Sequence, residues 1–162
     1  MASEAELTER FWKALKSDMT VMLGVNGVDD GHAQPMTAIV EEEMGGNYLY
    51  FFTTKTNTII EEMRQNDRAI ATFVDKGHEI WATINGRLEE HQDRATIDRL
   101  WNPHVAAWYE GGKDDPSLQL IRLDPESAQI WLNQNSAFAG IKSLFGKDPK
   151  EDAQKNVAEV AL

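Results

Sequence analysis

The chain has 162 residues, 41% of them apolar and 27% charged, enough to bury a substantial core without covalent staples. It contains no cysteine, which excludes structural disulfides and thiol chemistry and suits a reducing compartment such as the cytoplasm. A net charge of −11 speaks against nucleic acid and anionic membrane as partners, because both are held by clustered positive charge.

The first stretch, "SEAELTERFWKALK", predicts an amphipathic helix. Ser3 stands as a cap with Glu6 three residues on, and Leu7, Phe11, Trp12 and Leu15 share a face. It is polar and acidic, unlike a secretory signal. "MTVMLGV" reads as a buried strand and "NGVDDG" as a turn. "QPMTAIVEE" and "NYLYFFT" read as strands joined through Gly45-Gly46, a hairpin. "NTIIEEMRQN" is helical, with Ile59, Ile60 and Met63 on its apolar side. "RAIATFV" and "EIWATINGRLEE" are strands separated by "DKGH", and "DRATIDRLW" is a further amphipathic helix. It ends at Trp101, where Asn102 caps a short helix with Pro103 in its first turn, carrying His104 to Tyr109. "EGGKDDP" then turns the chain back. "SLQLIRL" and "SAQIWLN" are strands hinged at Asp124-Pro125. The tail after Phe145 has Asp148 and Pro149 in cap and first-turn positions and a thin apolar face, which predicts a marginal helix or a mobile end. One domain, 1–145, therefore precedes a tail, 146–162. Short strands that are mostly neighbours in sequence predict a mainly β, α+β architecture: an antiparallel barrel with flanking helices.

Self-contained catalytic motifs are missing. His32, His78, His91 and His104 are scattered without metal-ligand spacing and read as surface or loop residues. No phosphate-binding glycine loop or nucleophile elbow occurs, so any chemistry would be carried by a cofactor. One segment suits an anion. "FFTTKTNTIIEEM" ends a strand in hydroxyls, adds Lys55 and opens a helix at Thr56 or Asn57, where unpaired N–H groups and the positive end of the dipole gather. The same residues read as ordinary capping, with Thr58 and Glu61 as a capping box, and from spacing alone that is the stronger reading because caps outnumber phosphate sites. In "SAQIWLN", Trp131 shares a face with Gln129 and Asn133, so its ring meets an interface, a ligand or a neighbouring helix.

Four segments together resemble a known family: "QPMTAIV", "NYLYFFTTKTNTIIEEMRQNDRAIATFVD", "WATINGRLEEHQDRATIDRLW" and "NPHVAAWYEGGKDDPSLQLIRLDPESAQIWL". The chain, from about Ala5 to Leu144, resembles the general stress protein 26 group of the pyridoxamine 5′-phosphate oxidase-like, FMN-binding split-barrel family. The resemblance implies a six-stranded antiparallel split β-barrel, a cytoplasmic homodimer, and FMN, or FAD as the alternative, in each of two grooves at the subunit interface. It implies that Pro35, Met36 and Thr37 neighbour the flavin ring and that Phe52, Thr53, Thr54, Lys55 and Asn57 hold the ribityl and phosphate. Trp131, and with it Trp101, would reach the ring from the partner. Two departures stand out: Gln34 where many relatives have arginine, and Ile59 where many have lysine. The leading reading is a cytoplasmic, dimeric flavoprotein of the general stress type, in which an oxidoreductase role would run through the flavin. The alternatives are a non-catalytic flavin-binding or flavin-sensing module and a barrel carrier of an apolar ligand. Trp101 and Trp108, seven residues apart on adjoining helical pieces, would cover the barrel mouth or line the dimer interface, with packing the larger role for Trp108.

Overall fold

The computed structural model describes residues 3–133 and 157–162. Helix α1, Glu4–Asp18, starts as expected. The Ser3 hydroxyl accepts from the Glu6 N–H, and the Glu6 carboxylate accepts from the Ser3 N–H, closing the capping box. Its Leu7, Phe11 and Leu15 are buried. Met19, in the left-handed conformation, ends it and donates its N–H to the Leu15 carbonyl.

Strands β1 (Thr20–Val25), β2 (Gln34–Thr37), β3 (Ile39–Glu43), β4 (Gly46–Thr54), β5 (Arg68–Val74), β6 (Ile80–Glu90), β7 (Leu118–Leu132) and β8 (Val157–Ala161) make one antiparallel sheet. The order is β2-β1-β5-β6-β7-β4-β3, with β8 also on β7. The two ends of that path, β2 and β3, are joined by Ala38 alone. The sheet must therefore curl until its ends adjoin, which makes it a barrel split between β2 and β3. Ala38 is fully buried there and donates its N–H to the Met19 carbonyl. This break divides the single strand expected over "QPMTAIVEE".

Inside the curl, Leu23, Phe51, Phe73, Ile84, Ile121 and Ile130 pack with the apolar face of α1 and with Ile59, Ile60 and Met63 of α2 (Thr58–Gln65). Each such fully buried side chain contributes about 1.5–3 kcal/mol of transfer free energy. A second apolar cluster lies on the other face of β4 and β7. There Tyr50, Leu118 and Leu120 pack against Ile97 and Leu100 of α3 (Arg94–Leu100) and against Tyr109, which follows α4 (Pro103–Ala106). Because β7 is covered on both faces at this end, Leu118, Gln119, Leu120 and Ile121 are buried consecutively instead of alternating.

Three expectations change. Asp124-Pro125 is no hinge between strands. β7 runs through it, and a bulge absorbs the proline: Asn85 pairs with Ser127 and Gly86 with Pro125, leaving Glu126 without an opposite residue. Gly86 is required, since a Cβ there would lie 2.2 Å from the Asp124 carbonyl oxygen. The end of the tail is a strand, not a helix. β8 takes the edge of β7 that β4 vacates, pairing with Ser127–Trp131 after β4 has paired with Leu118–Leu123. The helix start expected at Asp148-Pro149 lies outside the described residues. Finally, the β3–β4 turn is Met44-Gly45, both at positive φ, the geometry that matches strand twist in a two-residue hairpin. Among the described residues no helix is long and apolar enough to cross a membrane.

Candidate functional site

A cleft of about 610 Å³ opens where the barrel splits. Its walls come from several places in the chain. β2 supplies Gln34, Pro35, Met36 and Thr37, the end of β4 supplies Phe52, Thr53 and Thr54, and the α2 cap supplies Asn57. The α4 segment adds Asn102, His104, Val105, Trp108 and Tyr109, and Asp18 to Thr20 border it where α1 enters β1.

Asn57 is the knot of the site. It is the N-cap of α2, in place of the Thr58 capping box, and its Oδ1 accepts from the Ile59 N–H at 3.0 Å. Its Nδ2 donates to Gln34 Oε1 at 2.9 Å and to Thr53 Oγ1 at 3.0 Å. Both amide hydrogens and the acceptor are thus used, and the side chain is locked. Gln34 Nε2 reaches Thr58 Oγ1 by a long 3.4 Å contact, which leaves amide N–H capacity toward the cleft. One helix-start donor is thus taken by Asn57, which caps the helix where a Thr58–Glu61 box was expected.

The opposite wall is fixed by Tyr109. Its hydroxyl donates to the Thr53 carbonyl at 2.7 Å, and the residue is buried. Burial, with the Asp115 carboxylate nearby, pushes the phenol up to about 12. Trp101 stands behind it, 6.1 Å from the Tyr109 ring and edge-on to Phe52 at 5.8 Å. Asn102 caps α4, with Oδ1 accepting from the N–H groups of His104 and Val105, and Pro103 fills the first turn as expected.

The expected residues divide accordingly. Pro35, Met36, Thr37, Phe52, Thr53, Thr54 and Asn57 line the cleft together. Lys55 is exposed just beyond the lining and donates its N–H to the Ser117 carbonyl at 2.8 Å. Trp101 backs the lining through Phe52 and Tyr109. Trp131 lies on the outer sheet face, in register with Trp81 on one side and Val157 on the other. Ile59 is fully buried and packs into the barrel core, so a side chain at that position does not reach the cleft. Trp108, for which packing was the larger expectation, is 84% exposed and packs into neither apolar cluster.

Gln34, His104 and Tyr109 are among the lining residues that the sequence did not mark as site residues, as are Asp18 to Thr20, Ile39, Asn102, Val105 and Trp108. Adjacency to Pro35 was a usable signal for Gln34. Tyr109 had none, since an aromatic residue entering a glycine-rich turn reads as packing. Among the described residues no lysine or arginine lines the cleft. Its carboxylate, Asp18, is engaged: it accepts from the Lys76 N–H at 2.7 Å and faces Lys76 Nζ at 3.6 Å.

The barrel with this cleft at its split defines the class, and comparison with known proteins agrees. The family model described as pyridoxamine 5′-phosphate oxidase like matches residues 6–148, and the chain belongs to that family. Within it, the chain is similar to the general stress FMN/FAD binding protein of Xanthomonas citri, with 59% identity, covering 82% of this chain and 92% of that one at a TM-score of 0.75. A general stress family protein of Xanthomonas campestris pv. campestris is also 59% identical, covering 84% and 93% at a TM-score of 0.76. Protein bli-3 of Neurospora crassa is 26% identical over 118 residues, 68% of this chain; the chain spans about half, 53%, of that relative's length.

Proposed function

We propose that the cleft binds a flavin and that the protein is a homodimeric, cytoplasmic flavoprotein of the general stress type. The observation that carries this reading is the gathering of Pro35, Met36, Thr37, Phe52, Thr53, Thr54 and Asn57, from three separate elements, around one cleft. The relative from Xanthomonas citri, described as FMN/FAD binding, supports it.

The residues fit the group. A flat ring needs apolar walls and a few convergent polar groups. Pro35, Met36 and Phe52 supply the walls; Gln34 and Thr53, held by the Asn57 knot, and Thr54 supply amide and hydroxyl groups. A bound flavin supplies hydride or electron transfer, and the chain supplies orientation and exclusion of water. The phosphate would meet the Thr54 hydroxyl and the exposed Lys55 beside it.

A second copy of the chain suits the outer sheet face. Val74, Trp81, Trp131 and Val157 lie in register across four strands, and Val74 and Trp81 are exposed. Exposed Met22 shares this face and sits opposite Pro35, a cleft residue. The face therefore leads to the cleft, and a two-fold mate covering one would border the other. In that arrangement Trp131 approaches the partner's flavin.

Tyr109, the lining phenol, has its proton committed to the Thr53 carbonyl. That favours the second reading, a flavin-binding module without turnover, over a mechanism using this residue as acid. Titration of the purified chain with FMN, followed by addition of NAD(P)H, tests both readings. Saturable binding with an altered flavin spectrum supports the flavoprotein, and steady flavin reduction supports the oxidoreductase. No binding refutes both and returns the cleft to an apolar ligand.

A further inference from the structure

We propose that Trp108 is a stacking platform for a second aromatic ring, the adenine of a flavin adenine dinucleotide, so that the cleft selects the dinucleotide over FMN. This rests on the flavin reading above. A tryptophan ring offers a large flat face for stacking together with a polar N–H. Trp108 is 84% exposed, yet it lines the same cleft as Pro35 and Asn57.

The backbone that carries it is fixed. Trp108 donates its N–H to the Val105 carbonyl at 3.0 Å, and the next residue, Tyr109, is buried and bonded to the Thr53 carbonyl. An exposed ring on an anchored backbone binds with less ordering cost than one on a free loop. Asn102 on this wall is spent as a helix cap, and His104 and Val105 line the same wall as the indole. A π-face with an apolar and an imidazole neighbour suits a nucleobase, and every base offers such a face.

Charge points the same way. A terminal phosphomonoester concentrates about −1.5 to −2 on one phosphorus at neutral pH. A diphosphate bridge spreads its charge over two phosphorus centres. Among the described residues the lining itself has no lysine or arginine; Lys55 stands exposed just beyond it, and Lys76 is taken up by the lining's Asp18, so a concentrated dianion meets little positive charge. Stacking on Trp108 supplies the affinity that a cationic phosphate pocket would otherwise give.

The test is a pair of titrations, FAD and FMN, into the flavin-stripped full chain, its Trp108→Ala variant and its Trp108→Phe variant, with mass by light scattering. Wild type should bind FAD more tightly than FMN. Trp108→Ala should weaken FAD by about 5- to 150-fold, the scale of one base stacked on an aromatic ring, leaving FMN within about twofold. Trp108→Phe should recover most of the loss. Because the ring is exposed, the melting temperature of the alanine variant should match wild type. Equal affinity of wild type for the two flavins, or a loss shared by both, overturns the platform. A Trp108→Ala protein that changes mass and loses both flavins assigns the ring to the subunit interface and equally overturns it. Failure of wild type to bind either flavin refutes the flavin reading itself.

Discussion

Asn57 shows how one side chain joins fold to site. Its carbonyl oxygen caps α2 while its amide nitrogen ties β2 to β4 through Gln34 and Thr53. Replacing it with alanine removes all three bonds and should cost about 1–2 kcal/mol in urea unfolding, with flavin affinity falling alongside. Asn57→Asp separates the roles. The carboxylate still caps the helix, so stability should be largely kept, but it cannot donate to Gln34, and flavin binding should still weaken. A variant that keeps full affinity would remove Asn57 from the site. Tyr109 gives a second residue-scale test. Its phenol is pushed up to about 12 by burial, against an unfolded value of 10.0. The folded state therefore holds the proton more tightly, so this stabilisation is complete below pH 10 and is lost as pH rises toward 12. Tyr109→Phe should flatten part of that alkaline decline, and Tyr50, whose pKa burial also raises, should keep the rest. Urea unfolding from neutral to alkaline pH checks it, and an unchanged slope in the variant would show that Tyr109 ionises freely.

At the scale of elements, β7 and β8 carry the lesson. β7 is paired with β6 from Ile121 to Leu132, and its other edge is shared between β4 and β8. Removing residues 157–162 should expose the Ser127–Trp131 edge, lower the urea midpoint and promote association through the open strand. Full stability of the truncated chain would show that β8 is dispensable. The helices and most strands were legible in the sequence because local chemistry decided them: a capping box at Ser3 and Glu6, period-2 alternation in "RAIATFV", Asn102 before Pro103. The failures occur where partners decide. Pro125 looks like a strand break until Gly86 is seen to leave room for a bulge. "VAEVA" is too short to declare itself a strand, and it becomes one on the free edge of β7. The site was legible where it follows strands, as at Pro35 to Thr37 and Phe52 to Thr54. It was illegible where a turn folds over the cleft, as at Trp108 and Tyr109, because spacing in a loop does not fix direction.

At the scale of the whole molecule, the row of Val74, Trp81, Trp131 and Val157 is an apolar face on a chain of net charge −11. In the proposed dimer, covering it with a second copy would join two clefts into one assembly and bring Trp131, outside this chain's own lining, to the partner's flavin. Trp131→Ala should then weaken flavin binding by about 1–3 kcal/mol, the scale of a buried aromatic contact, whereas Trp12→Ala, on the α1 packing face, should cost stability without a specific flavin effect. Equal flavin affinity in the Trp131 variant and wild type would return that ring to surface packing. The central claim, a flavin held in a cleft completed by two chains, is tested most directly by size-exclusion chromatography of the flavin-loaded protein with light scattering and visible absorbance on one peak. The account predicts a species of twice the chain mass carrying about one flavin per chain. A monomer that retains its flavin would contradict the shared cleft, and a colourless dimer would contradict the flavin.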